Sequence, residues 1–132
     1  MNDLDALALA AQQRAHAPYS KFKVGAAIEM ADGSRHVGAN IENASYGLAI
    51  CAERTAIFAA VLAGAKHLRE VSVCTESSPP SSPCGACRQV LLEFAPDPSA
   101  VTVSSINPKG ERRTWTLAQL IPDGFTGKEL PP

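Results

Sequence analysis

The order of elements read along the chain predicts an α/β fold, a mixed sheet with helices on both of its faces. Two observations predict it. Segments of helical spacing stand between β-branched segments through the middle of the sequence, so strands are joined there by helical crossovers. The first two strand segments are instead joined only by Asp32-Gly33, a hairpin turn signal, which makes that pair antiparallel. A chain of 132 residues fits one domain, 1–132, and can bury a core without staples.

The elements follow in order. Leu4, Leu7, Ala8, Ala11 and Ala15 recur at a helical period, so a first helix is expected over 4–15, with Asn2 or Asp3 as its cap. Pro18-Tyr19-Ser20 ends it. Strands are expected over Phe22 to Met30 and Arg35 to Ala39. Asn40 to Gly47 fits neither period and reads as a loop. Cys51 to Leu62 is alanine-rich and apolar on several faces, which predicts a helix buried between other elements and capped by Gly64. Glu70 to Thr75 is a short strand with Val71 and Val73 on one side and Ser72 and Cys74 on the other. Ser77 to Pro83, all serine and proline, is an irregular approach to Cys84. The helix beginning there reaches Phe94, with Cys87, Val90, Leu91 and Phe94 as its apolar stripe, and Pro96 and Pro98 stop it. Val101 to Val103 and Arg112 to Trp115 complete five strands around the turn at Asn107 to Gly110. Thr116 with Gln119 forms a capping box for a last helix over Leu117 to Ile121.

Composition limits the partners. Twelve basic and 13 acidic residues are scattered, for a net charge of -1, so neither a polyanion nor an anionic membrane surface is favoured. No apolar run approaches the ~20 residues of a membrane span. Binding of single-stranded nucleic acid calls for a basic groove with stacking aromatics, and only four Phe, two Tyr and one Trp are present. The sequence opens without a basic region followed by an apolar one, so four cysteines are expected to serve as metal thiolates in a reducing, cytoplasmic setting rather than as disulfides. His16, His36 and His67 lack ligand spacing and are expected to face solvent.

The chemistry concentrates in two short stretches. In Pro83-Cys84-Gly85-Ala86-Cys87-Arg88-Gln89 two thiols lie one helical turn apart at a helix start, where they face the same way. They cannot close a site alone. Cys51-Ala52-Glu53-Arg54 supplies a third thiol, and Glu53, two positions on, is free to reach past a metal toward a bound molecule. Three thiolates on Zn²⁺ leave one tetrahedral position open, and a neighbouring carboxylate can move protons there. The sum of three thiolates and Zn²⁺ is -1, which helix N-termini at the sulfurs and hydrogen bonds from Arg54 or Arg88 would offset. Spacing alone leaves an alternative open: with Cys74 the four thiols form a closed structural site or a noncatalytic zinc module, and Glu53 is an ordinary helix-start carboxylate.

These two stretches, together with Phe22-Lys23-Val24-Gly25-Ala26-Ala27 and Asn40-Ile41-Glu42-Asn43-Ala44-Ser45-Tyr46-Gly47, closely resemble the small zinc-dependent cytidine deaminases. The resemblance covers most of the chain. It implies a three-layer α/β/α sandwich with a mixed five-stranded sheet, one Zn²⁺ on Cys51, Cys84 and Cys87, and hydrolytic deamination of cytidine and 2′-deoxycytidine for pyrimidine salvage. Glu53 would carry protons from the attacking water to N3 and to the departing amine. The resemblance further implies that Asn40 and Glu42 meet the ribose hydroxyls, that Phe22 lines the pocket, and that the backbone N–H groups of Ala52 and Cys84 meet the pyrimidine O2 and the metal-side groups. Arg54, Arg88 and Gln89 would support the metal ligands. A homotetramer is implied, with Tyr46, Gly47 and Phe125 reaching into a neighbouring subunit's site. Modified cytosine nucleosides stay open as substrates, and a nucleotide is disfavoured for want of a basic cluster.

Overall fold

The computed structural model describes residues 1–131. Helix α1 (Asp3–Gln12) begins with a capping box in which the Asn2 side chain and Asp5 satisfy each other's backbone N–H groups. It ends three residues before the expected Ala15, where Arg14 and Ala15 bond back to the carbonyls three rather than four residues earlier, and Gln12 is turned inward to hydrogen-bond the Lys23 carbonyl at 3.0 Å. Strand β1 (Gly25–Met30) starts later than Phe22, and the preceding residues form the wall of a pocket. Strand β2 (Arg35–Ala39) follows through a turn in which Gly33 takes a φ of 87°, a conformation that suits glycine. Helix α2 (Ala52–Leu62), β3 (Leu68–Cys74), helix α3 (Gly85–Glu93), β4 (Thr102–Ile106), β5 (Arg112–Thr116) and the short helix α4 (Leu117–Leu120) complete the fold. The capping box of Thr116 and Gln119 is present at α4.

The five strands form one mixed sheet in the order β2-β1-β3-β4-β5. Only β3 and β4 are parallel, joined by the crossover through α3. The sheet alternates as a strand must. Ala26, Ile28, Met30, Val71 and Val73 face the core shared with α2, α3 and α4, whereas Ala27 and Cys74 face Leu4 and Ala8 of α1. The result is three layers, α1, sheet, and α2 with α3. Close approach is written into two glycines. A Cβ on Gly25 would stand 2.7 Å from the Cα of Gln12, and one on Gly38 2.6 Å from the Ala52 carbonyl oxygen.

Helix α2 departs from expectation on one face. Ala52, Ala56, Ile57 and Ala60 are buried, but Phe58 and Leu62 are exposed, Leu62 at 90%. His16 and His67 are exposed, while His36 is half-buried with Nε2 3.0 Å from the Ser34 hydroxyl.

The register places the functional end. Gly25 pairs with both Ala39 and Cys74, so the start of β1 and the ends of β2 and β3 lie side by side. Phe22, Asn40 and Thr75, far apart in sequence, therefore converge on one edge of the layers, where α2 and α3 also begin.

Candidate functional site

Cys51 and Cys84 are the N-cap residues of α2 and α3, and Cys87 sits one turn into α3. Both helices thus point their positive ends at the sulfurs. The Sγ atoms of the three cysteines all lie within 4.8 Å of one another, with Cys51 to Cys84 at 3.8 Å and Cys84 to Cys87 at 3.4 Å. Thiolates at the corners of a tetrahedron with Zn–S of about 2.3 Å stand about 3.8 Å apart. The donor set fits that ion. All four cysteines are free thiols. Cys74 is not part of the cluster: it is buried on the opposite face of the sheet, where its thiol donates to Gln12 Oε1 at 3.4 Å. The four-thiolate site that spacing left open is therefore not formed, because strand alternation turns Cys74 away from the helices that carry the other three.

One thiol of the cluster favours the thiolate form and another opposes it. The neighbouring Cys87 thiol first, and Arg54 as well, lower Cys51 to about 5, while Cys87, facing Cys51 and buried, is pushed up. A bound cation would remove that competition, since each thiol that ligates it gives up its proton and the metal's charge takes the proton's place. Of the two arginines it is Arg54 that reaches a sulfur, Nη2 donating to Cys51 Sγ at 3.4 Å. Arg88 turns away from the thiols. Its Nε donates to the Pro83 carbonyl at 2.7 Å, Nη1 to the Leu120 carbonyl at 2.8 Å and Nη2 to Ser82 Oγ at 2.9 Å. Gln89 makes no sulfur contact either, its Nε2 donating to the Phe125 carbonyl at 2.8 Å.

Beside the sulfurs is a cavity of about 270 Å³ that contains Cys51, Ala52, Glu53 and Cys84 on one side and Phe22, Asn40 and Glu42 on the other. Glu53, on the first turn of α2, is only 4% exposed. Burial raises its carboxyl to about 7, and the charge of Cys51 adds to the shift. At the far end Asn40 extends the β1–β2 ladder with its side chain, accepting from Val24 N at 2.9 Å and donating to the Phe22 carbonyl at 2.8 Å. The Glu42 carboxylate accepts from the backbone N–H groups of Tyr19 and Ser20, each at 3.1 Å, and from the Ser20 hydroxyl. Those Ser20 bonds hold it below the ordinary carboxylate range, so it stays an anion.

Residues 2–103 match the family model of the cytidine and deoxycytidylate deaminase zinc-binding region. The chain belongs to this deaminase family. It is 44% identical over 123 residues to the cytidine deaminase of Halalkalibacterium halodurans, a match spanning 93% of this chain and 92% of that protein. Among solved structures, the cytidine deaminase of Burkholderia pseudomallei superposes with a TM-score of 0.88 at 45% identity, covering 95% of this chain and all (100%) of that one. The cytidine deaminase of Mycobacterium tuberculosis gives 0.79 at 38% identity, covering 92% and 94%. The likeness to the deaminase fold is thus carried by the whole sandwich.

Tyr46 and Phe125, expected to reach into a neighbouring subunit's site, stand outside this chain's own pocket. Tyr46, 75% exposed, lines a separate depression with Tyr19 and Glu42, and Phe125, 57% exposed, lies on the C-terminal segment tethered by Gln89. Other pocket residues carried no sequence signal. Val73, Thr75, Ser81 and Ser82 line the cavity because β3 ends there and the serine-proline stretch folds back over it. That stretch is held by Ser105, which donates to the Ser81 carbonyl at 2.5 Å, and by Asn107, which donates to the Ser77 carbonyl at 3.0 Å.

Proposed function

We propose that the chain deaminates cytidine and 2′-deoxycytidine to uridine and 2′-deoxyuridine with release of ammonia, and that Cys51, Cys84 and Cys87 hold the zinc ion and Glu53 carries the protons. The observation that carries this reading is that a nearly buried carboxylate and two of three clustered thiols open into one cavity of nucleoside-pocket size. Zinc held by Cys51, Cys84 and Cys87 would supply a Lewis acid able to make water a nucleophile near neutral pH.

The protein's own groups account for the rest. Glu53 takes one proton from the attacking water and delivers it to N3 of the ring as the C4–O bond forms. It then takes the proton of the new C4 hydroxyl and passes it to the amine as the C4–N bond breaks, leaving a C4 carbonyl, a protonated N3 and ammonia. A carboxyl raised by burial toward neutrality suits both transfers. The N–H of Ala52 opens α2 and has no acceptor within the helix, so it is free for the base. The N–H of Cys84 completes the donors on the metal side. Asn40 and Glu42 take the sugar. The Glu42 anion accepts from hydroxyl groups, and Asn40, with one amide N–H still uncommitted, donates to them.

The family model spans cytidine and deoxycytidylate deaminases, and the pocket favours the nucleoside over the nucleotide. Its lining includes the carboxylates of Glu42 and Glu53 and no lysine or arginine to meet a phosphate. Modified cytosine nucleosides fit the same chemistry. Residues 1–132 act as one domain in a homotetramer, for which the support is the exposed apolar face of Phe58 and Leu62 on α2 together with Tyr46 and Phe125, free to reach a neighbour's site. Arg54 supports the ligands through Cys51, and Arg88 and Gln89 through the segments they tether. The balanced charge accords with a cytoplasmic enzyme of pyrimidine salvage that takes no nucleic acid or membrane partner; no helix of the described residues is long and apolar enough to cross a membrane.

The test is incubation of zinc-loaded protein with cytidine, 2′-deoxycytidine and cytidine 5′-monophosphate, following the uracil product and ammonia together. Equimolar product and ammonia from both nucleosides is expected, with little from the nucleotide. Unchanged cytidine would overturn the assignment.

A further inference from the structure

Arg88 is placed where it controls the pocket without touching either the sulfurs or the reacting atoms. It follows Cys87 directly, and its side chain runs back toward the N-terminus of α3, as helical side chains do. All three guanidinium nitrogens are committed, to Pro83, Ser82 and the carbonyl of Leu120 at the end of α4. Pro83 is the residue immediately before Cys84, and it is buried. Ser82 lines the cavity. One fork therefore fixes the approach to a metal ligand, a pocket wall and the C-terminal helix relative to one another.

The bond to Ser82 also settles a direction. A guanidinium only donates, so Ser82 Oγ accepts from Nη2 and its own proton points elsewhere. The cavity is the side that Ser82 lines.

We propose that Arg88 is a positioning residue for the deamination: it holds the Ser82–Pro83 wall in register with Cys84 and sets the Ser82 hydroxyl as a donor into the pocket, toward an acceptor atom of the bound pyrimidine. The inference rests on the function proposed above. A lysine cannot replace the arginine, since one ammonium has no planar fork to span three acceptors in different segments.

The test uses full-length Arg88→Met, Arg88→Lys and Ser82→Ala proteins loaded with Zn²⁺ for kinetics and with Co²⁺ for spectroscopy, and uridine binding by calorimetry. Arg88→Met is expected to keep one Co²⁺ per chain with shifted d–d bands, and to lose about 10–100-fold in kcat with a raised KM. Arg88→Lys should stay closer to Arg88→Met than to the parent. Ser82→Ala should weaken uridine and raise KM by about tenfold, the worth of one hydrogen bond, with unchanged cobalt bands and little change in kcat. Combining Arg88→Met with Ser82→Ala should cost less than the product of the two. Parental bands and kcat/KM within twofold in folded Arg88→Met would overturn the proposal, as would an Arg88→Lys protein equal to the parent. If Arg88→Met does not fold, Ser82→Ala decides, and parental KM and uridine affinity there refute it. A parent inactive on cytidine refutes the proposed function, whereas an active parent with silent variants refutes this inference alone.

Discussion

Replacing Glu53 with Gln separates proton transfer from every other role of the site. The amide has nearly the shape and volume of the carboxyl group, so the cavity wall and the first turn of α2 should be preserved. Glu53 is outside the thiol cluster, and the three sulfurs already stand at the separations a zinc ion requires. One zinc per chain is therefore expected in the variant. What the amide cannot do is accept and return protons. Each transfer by a positioned acid or base contributes about 10²–10⁴-fold, and the mechanism proposed above asks Glu53 for two. A loss of at least about 10⁴ in kcat follows, or about 5.5 kcal/mol of barrier. Zinc is measured by atomic absorption of the purified variant, uridine and ammonia by chromatography and a coupled assay over long incubations, and cytidine affinity directly by calorimetry, which slow turnover permits. Affinity should stay within a few-fold of the parent KM. A zinc-free variant would show that Glu53 is a ligand, and activity within tenfold of the parent would show that the protons travel by another route; either refutes the reasoning.

Cys74→Ala should retain one zinc per chain and lose about 1–3 kcal/mol of stability, because buried Gln12 Oε1 loses its donor; a zinc-free variant would contradict the geometry. Burial raises the Cys74 thiol from 9.0 to about 11, so its neutral form stabilises the fold fully below pH 9 and that contribution is lost as pH rises toward 11. The parent's urea midpoint should therefore fall over that range more steeply than that of Cys74→Ala. Gly38→Ala drives a Cβ onto Thr55 Oγ1, Ala56 N and the Ala52 carbonyl, at the turn of α2 that carries Glu53. It should cost about 3 kcal/mol or more in denaturant unfolding and weaken zinc binding in a chelator competition, and a parental midpoint would be evidence against the close β2–α2 contact. Arg112→Ala strands the Asp5 carboxylate, which is 1% exposed and otherwise bonded to Ser72 at 2.7 Å and to the Asn2 N–H. A loss of about 3–5 kcal/mol is expected, partly restored by adding Asp5→Asn, and a loss under about 1 kcal/mol would mean that the pair is solvated.

Strand and helix identity was legible because the periods are local. Val71 and Val73 against Ser72 and Cys74 in β3 show alternation that needs no tertiary information, and the caps at Asn2 and Thr116 are satisfied within a few residues. The thiol cluster was legible for a related reason: Cys84 and Cys87 share one helical turn, so sequence spacing is already spatial spacing. Cys51 was harder, since nothing local brings it to Cys84, and the motif resemblance stood in for the missing contact.

The elements, their α/β order, the family and the metal-binding chemistry of the cysteines follow from patterns local to the chain. The tertiary structure alone decided which polar residues share the cavity and where the arginines point. The pairing of Gly25 with Ala39 and Cys74 brings Phe22, Asn40 and Thr75 together, and the fold-back of the serine-proline stretch adds Ser81 and Ser82. Arg54 and Arg88 each follow immediately after a site residue, yet one meets a sulfur and the other three oxygens. The physical reason is that a long side chain takes whatever acceptors the packed neighbours present, and those neighbours come from segments that sequence proximity does not connect.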